Sequence, residues 1–376
     1  MVRVIQVTDP KRLRDFLKIP ARVYRDDPAW VPPMPREREA YFDRSANPIF
    51  GRKEVALWVA YDGDHPVGRI SAQCDRSAAP GNAAGHFGCL ECVDDQAAFA
   101  MLFDAAEAWL RRFRAAEMSG PYSLSINDEC GLLVDGFTTP PSFMMPHGRP
   151  YYAAQVERLG FKKTIDLLAY DYDLTNEFRP LAKRILERAR GNSRIRVRPV
   201  QPKDFAREIA VITSVFNDGW SGNWGFEPIS DATADLMAKS VKPLLMRNMV
   251  WIADLDDQPA AVAMTLPNLN EALMRLRRPG VIGKWIGFAK QVIFKDFTTA
   301  RTPLIGIRRE HHRTKVGAEL AIAVMDASRS GALGHGITHS ELSWVLEDNM
   351  QMRRIIEEVI GGVRYKTYRI FSKAIA

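Results

Sequence analysis

Cysteine is scarce: 376 residues contain four, Cys74, Cys89, Cys92 and Cys130. That is too few to staple a chain of this length, so its stability has to come from packed cores rather than a disulfide framework. Cys89 and Cys92 form one CxxC, with no second pair and no paired histidine at zinc spacing, so core thiols are expected there and no metal. Nowhere do about 18 uncharged apolar residues run together, which predicts no membrane-spanning helix. The opening "MVRVIQVTDPKRLRDF" is charged and strand-like, without the apolar stretch of a secretory leader, and leads to the expectation of a cytoplasmic chain. The most basic run, "RGNSRIRVR", has no interleaved aromatics and no recognisable DNA-binding motif, so nucleic acid is not an expected partner.

What is present argues for a globular protein. A 46% share of hydrophobic residues over this length is enough to fill two cores. A net charge of +7 allows an anionic partner, whether a phosphorylated cofactor, a membrane surface or a nucleic acid, without choosing among them.

The chain has a weak internal symmetry. "VALWVAYDGDHPVGRISAQCD" reads as a hairpin turning at Asp62 to Pro66. A strand, "GHFGCLECV", follows, and then a helix with Phe99, Leu102, Phe103, Ala106, Trp109, Leu110 and Phe113 on one face. In the second half, "MVWIADLDDQPAAVAMTLPN" repeats the hairpin, and after an insertion the strand and helix recur. Each half adds one more strand, "YSLSIND" or "ITHSELSWV", a short helix and closing strands. This order predicts a duplicated domain: residues 1–175, a basic linker 176–202, and 203–376 with an amphipathic insertion at 275–297.

The second-half strand runs into "GIRREHHRTKVGAELAIAVMDASRSGALG". Val316, Leu320, Ala323, Val324 and Ala327 recur with helical period, so a helix opens near Thr314 to Gly317 directly after a basic turn. Unpaired N–H groups at a helix start favour an anion. Arg308, Arg309, Arg313 and Lys315 would add charge-assisted contacts, and the small Gly317 and Ala318 would let a phosphate approach. A helix start ringed by solvated cations would look the same.

The order of hairpin, strand, Arg-containing turn, helix, strand, Asn, helix and terminal strands resembles the acyl-CoA N-acyltransferase fold of the GNAT superfamily, present in both halves. The resemblance implies an α/β fold of the mixed-sheet α+β kind, twice in tandem. In that superfamily the turn holds the pyrophosphate of coenzyme A, usually within an (Arg/Gln)-x-x-Gly-x-(Gly/Ala) pattern. Here "RTKVGA" keeps Arg313 and Ala318 but has Val316 at the first Gly position and Gly317 one place late; Thr314 and Lys315 lie between. The first-half counterpart, "ECVDDQAA", has two Asp and no Gly and would repel a pyrophosphate, so only the second half is expected to bind the cofactor. "SELSWVLEDNMQMRRIIEEVIGGVRYKTYRIFSKAI" is similar to the superfamily's closing strand, Asn, helix and Tyr-rich hairpin. "SINDECGLLVDGFTTPPSFMMPHGRPYYAAQVERLGFKK" is unlike an ordinary GNAT sequence, and over nearly its full length the chain resembles the tandem GNAT-like family that includes bacterial ceramide synthases. That family transfers a long-chain acyl group from coenzyme A to a sphingoid-base amine. The resemblance therefore implies acyl-CoA as co-substrate, a lipid amine as acceptor and no permanently bound cofactor.

Acyl transfer to an amine needs a neutral nitrogen, near-attack placement on the thioester, stabilisation of the oxyanion and a proton for the thiolate. Glu341 is the first candidate base, since alternation in "HSELSWV" puts Glu341, Ser343 and Val345 on one face; a strand-end carboxylate facing water is the alternative. Asn349 occupies the place of the superfamily's Asn, and would equally serve as a helix cap. Tyr365 and Tyr368 lie where the superfamily often keeps the thiolate's acid, and packing would explain either. In the first half, Asn127, Asp128 and Glu129 follow a strand, and His147, Tyr151 and Tyr152 lie beyond a loop stiffened by Pro140, Pro141, Pro146 and Pro150. These are candidates for acceptor recognition across the two halves, with His147 also a candidate for the chemistry. In the insertion, Trp285 and Phe288 belong to a broad apolar surface with a basic fringe, suited to an acyl chain or to peripheral contact with the inner membrane, unless it packs on the core. Two other readings stay open: transfer of a small acyl or aminoacyl group to a soluble amine or peptide, and a non-catalytic GNAT-fold regulator.

Overall fold

The computed structural model describes residues 1–76, 84–242, 245–276 and 283–375. They form two compact units, Met1–Leu167 with Lys366–Ala376, and Leu168–Tyr365.

The first unit is built from β1 (Val2–Gln6), α1 (Pro10–Val23), α2 (Pro35–Tyr41), α3 (Ile49–Arg52), β2 (Lys53–Asp62), β3 (His65–Asp75) and β4 (Gly85–Cys92). It continues through α4 (Gln96–Arg111), β5 (Glu117–Gly120), β6 (Leu132–Asp135), α5 (Tyr152–Arg158) and the start of β7 (Lys162–Asp173). Strands β1 to β4 pair antiparallel in chain order, and β5 is parallel to β4. The helix α4 forms as its spacing predicts: Asp95 accepts from the N–H groups of Ala97 and Ala98, and Phe99, Leu102, Phe103, Ala106 and Leu110 are buried. They meet Phe87, Ile70 and Phe161 in one core.

The second unit repeats the order. It contains α6 (Pro180–Gly191), β8 (Ile195–Pro199), α7 (Phe205–Gly219), α8 (Asp231–Val241), β9 (Val250–Leu255) and β10 (Gln258–Pro267). Then come α9 (Leu269–Leu276), α10 (Gly283–Phe294), β11 (Thr299–Ile307), α11 (Lys315–Leu333), β12 (His339–Leu346), α12 (Met350–Arg354) and the start of β13 (Val363–Ala374). Strands β8 to β11 are antiparallel neighbours, and β12 is parallel to β11. Asp256 and Asp257, both at positive φ, make the tight turn between β9 and β10. On one face α7 packs Val215 and Phe216 against Val262 and Leu304; on the other, α11 packs Leu320 and Val324 against Ala261 and Ala263.

The division differs from the expected one. Residues 176–202 form α6 and β8 rather than a linker, because Ala182, Leu186 and Ala189 give α6 an apolar stripe that joins the second core. The boundaries fall inside strands: β7 begins in the first unit and ends in the second, and β13 does the reverse, its residues from Lys366 belonging to the first.

Candidate active site

In the second unit the parallel pairing of β11 with β12 covers only Thr299–Thr302 opposite His339–Leu342. Beyond it, β11 keeps β10 as partner through Ile307, after a register shift between Met264 and Leu266. Among the described residues the two parallel strands therefore part after Thr302. Thr302, Ser340 and Leu342 line one small cavity with Met325 and Ser328 of α11. By alternation Arg301, Glu341 and Ser343 point to the opposite face.

There they form a buried cluster. The Ser343 hydroxyl donates to Glu341 Oε1, and the Tyr365 phenol donates to Oε2. Arg301 Nε donates to Ser343 Oγ at 2.9 Å, and its guanidinium lies 3.7 Å from Glu341 Oε1. Glu341 is thus not a strand-end carboxylate facing water: it is 4% exposed and held on both oxygens. Trp344, next on β12, packs edge-on against Trp220 at the end of α7, ring centroids 5.8 Å apart.

The α11 start has the expected order and a different reason for its glycine. Thr314 caps the helix by accepting the Gly317 N–H at 3.0 Å and donates to the His311 carbonyl at 2.8 Å. A Cβ on Gly317 would lie 2.1 Å from that carbonyl oxygen, so the glycine lets the turn pack on the helix rather than clearing room for phosphate. Arg308 is tied to the Pro259 carbonyl at 2.7 Å and to Ser214 Oγ, and Arg309 reaches Asp218 through its N–H and Ser221 through its guanidinium. Arg313, Thr314 and Lys315 are exposed, and Val316 and Ala318 half-buried. Lys315 and Val316 occupy the first helical turn, where N–H groups lack internal acceptors. Asn349 serves as a cap of α12, accepting the Met352 N–H at 3.1 Å.

The first unit closes the equivalent opening. Beyond the β4 and β5 pairing, the Tyr122 N–H donates to the Phe87 carbonyl at 2.8 Å. The chain passes so near β4 that a Cβ on Gly88 would sit 1.6 Å from the Tyr122 carbonyl oxygen. Asp95 puts its own carboxylate on the α4 N-terminus, where an anion would otherwise bind.

Its polar residues gather in two places. Asp128 accepts from the Tyr41 phenol at 2.8 Å, and burial pushes its carboxyl up to about 7; Glu129 pairs with Arg38, and the Asn127 N–H donates to Ser125 Oγ. Tyr152 donates to Glu91 Oε2 at 2.7 Å, Tyr151 donates to the Cys92 carbonyl at 2.8 Å, and burial raises Glu91 to about 7 as well. His147 borders the second group, its ring 5.3 Å from that of Tyr24, which bonds Glu91; its side chain is 3% exposed and its Nε2 lies 2.9 Å from Asp27 Oδ2. Burial lowers the His147 pKa, while Asp27, whose own burial works the other way, is held below the usual carboxylate range by His147, the Ala29 N–H and Arg149. Tyr368 is fully buried beside Leu133 in this unit, whereas Tyr365 belongs to the second. Sequence reasoning missed Arg301, Tyr41, Arg38 and Glu91, none of which stands in a local motif.

Of the insertion, residues 277–282 and the Trp285 side chain lie outside the described residues. In α10, Phe288 and Val292 pack on the core, while Ile286, Ile293 and Phe294 are 61%, 70% and 71% exposed.

No family model matches the chain. "Bacterial ceramide synthase" of Caulobacter vibrioides is 39% identical to it over 375 residues, 99% of this chain and 97% of that one. The chain belongs to the bacterial ceramide synthase family. "Protein YghO" of Escherichia coli is 38% identical over 366 residues, covering 96% of this chain and 93% of the relative. Solved structures agree on the fold. A tandem GNAT protein from the clavulanic acid biosynthesis pathway covers 100% of this chain and 99% of its own, at 14% identity and a TM-score of 0.59. A probable N-acyltransferase from Enterococcus faecalis matches all of this chain with 73% of its own length, at 9% identity and a TM-score of 0.53. This ceramide synthase family member has two GNAT folds in tandem and is an acyl-CoA-dependent N-acyltransferase. Among the described residues no helix is long and apolar enough to cross a membrane.

Proposed function

We propose that the protein transfers a long-chain acyl group from acyl-CoA to the amine of a sphingoid base. The observation that carries the reading is the Glu341 and Tyr365 pair beside the point where β11 and β12 part, a base and an acid of the kind aminolysis of a thioester needs. The open strand edge would receive the pantetheine arm, and the first turn of α11 with Arg313 and Lys315 the pyrophosphate. The first unit, with its opening closed and its helix start occupied by Asp95, serves acceptor recognition through Asp128, Glu129 and Glu91. Ile286, Ile293 and Phe294 on α10, with exposed Lys290 among them, suit peripheral contact with an anionic bilayer.

The test is product formation by the purified protein from palmitoyl-CoA or acetyl-CoA with sphinganine, a soluble amine or a short peptide, read by mass spectrometry. N-acylsphinganine formed preferentially from palmitoyl-CoA is expected. Product with acetyl-CoA and the soluble amine or peptide alone would replace this reading with small-acyl transfer.

A further inference from the structure

Four side chains in the second unit form a continuous hydrogen-bonded line. Arg301 Nε donates to Ser343 Oγ, its Nη2 donates to the Ser343 carbonyl at 3.2 Å, the Ser343 hydroxyl donates to Glu341 Oε1, and the Tyr365 phenol donates to Glu341 Oε2. At 3.7 Å the guanidinium is beyond hydrogen-bond range of the carboxylate and acts on it through the serine. Arg301 and Glu341 are register partners in the parallel ladder, one step before its last pair, with side chains 7% and 3% exposed. A carboxylate so enclosed requires partners for its oxygens, and both accept a hydrogen bond here.

We propose that Glu341 and Tyr365 form one proton relay, and that Arg301 and Ser343 are positioning residues that hold its carboxylate in place and aimed. This rests on the reading of Glu341 as the base. The neutral amine attacks the thioester carbonyl carbon; the C–N bond forms and the C–S bond breaks. Glu341 takes the proton that nitrogen sheds, Tyr365 gives its phenolic proton to the departing thiolate, and the proton on Glu341 passes to the phenolate oxygen. The products are the amide and the free thiol of coenzyme A. One proton has crossed from nitrogen to sulfur, and both residues return to their starting state without a proton from water. Arg301 and Ser343 touch neither substrate; they fix where the Glu341 carboxylate points.

Two residues that act as one device do not contribute independently. The experiment measures single-turnover transfer, by release of free thiol, for Glu341→Gln, Tyr365→Phe and the double variant, and kcat and KM separately for Ser343→Ala, Ser343→Thr and Arg301→Lys. Far-ultraviolet circular dichroism checks each fold. Each single catalytic variant should lose roughly 100-fold, with the double variant within about threefold of the worse single. Ser343→Ala should lower kcat with KM unchanged, because it removes a donor that aims the carboxylate, and Ser343→Thr should restore it. Losses that multiply in the double variant would overturn the relay while leaving Glu341 as base. A Ser343→Ala loss that Ser343→Thr does not restore would reduce the serine to a structural tie and overturn its positioning role. Glu341→Gln within about twofold of the parent would overturn the relay together with the reading on which it rests.

Discussion

Asp128→Asn should alter how stability depends on pH more than it alters stability at any single pH. Burial pushes the Asp128 carboxyl up to about 7 in the folded chain, outweighing the Tyr41 hydrogen bond, against about 3.9 unfolded. Between those values the folded state holds a proton that the unfolded state has released, so the parent loses stability as pH rises through that window and levels off above about 7. The slope is at most about 1.4 kcal/mol per pH unit, and the sum about 4 kcal/mol; the part of Asp128 that stays accessible to water makes this an upper bound. Asparagine does not titrate and keeps an amide oxygen for the Tyr41 phenol, which lies 2.8 Å from the carboxylate. Glu91 titrates in the same range in both proteins and cancels in the difference. Relative to the parent, the variant should therefore gain at most about 2.5 kcal/mol between about pH 5 and pH 7.5. Urea unfolding at half-unit pH steps measures this directly. A variant-minus-parent difference constant within about 0.5 kcal/mol over that range would refute the argument that desolvation of Asp128 dominates its environment. If this carboxyl receives the acceptor amine, as proposed, an ammonium brought against it would expel its proton.

Binding of sphinganine at about pH 6.5 should accordingly release protons, seen as a calorimetric enthalpy that varies with buffer ionisation heat; a buffer-independent enthalpy would remove Asp128 and Glu91 from amine recognition. Replacing Arg313 and Lys315 by Ala should weaken coenzyme A binding about 10-fold or more at low salt with an unchanged melting temperature, since both side chains are exposed; equal affinity in isothermal titration would place the pyrophosphate elsewhere. Gly317→Ala should instead lower the melting temperature, through its clash with the His311 carbonyl. Changing Ile286, Ile293 and Phe294 to Ser should reduce sedimentation with phosphatidylglycerol vesicles while preserving the circular dichroism spectrum, and unchanged sedimentation would dismiss α10 as the lipid contact.

Local patterns in the chain were sufficient to determine the two hairpins, the strand, turn and helix of each half, and the shared face of Glu341 and Ser343. Each depends on the residue period of one element or on a cap such as Thr314, and near neighbours alone decide these. The opposing properties of the two helix starts were also legible, since Asp95 and the Arg313 to Lys315 turn act over a few residues. Tertiary structure decided the rest. Arg301 meets Glu341 only because β11 and β12 are parallel neighbours in one particular register, and a single-step slip would send either side chain to the opposite face. Tyr365 and Tyr368 are indistinguishable as sequence, yet the passage of β13 from one unit to the other after Tyr365 places the first at the carboxylate and buries the second beside Leu133. The apolar residues of α10 were plain, but which of them would turn inward depended on the core it meets: Phe288 and Val292 were taken in, and Ile286, Ile293 and Phe294 left to solvent. Side-chain period belongs to the chain, whereas the partner across a sheet or beneath a helix is a property of the packed whole.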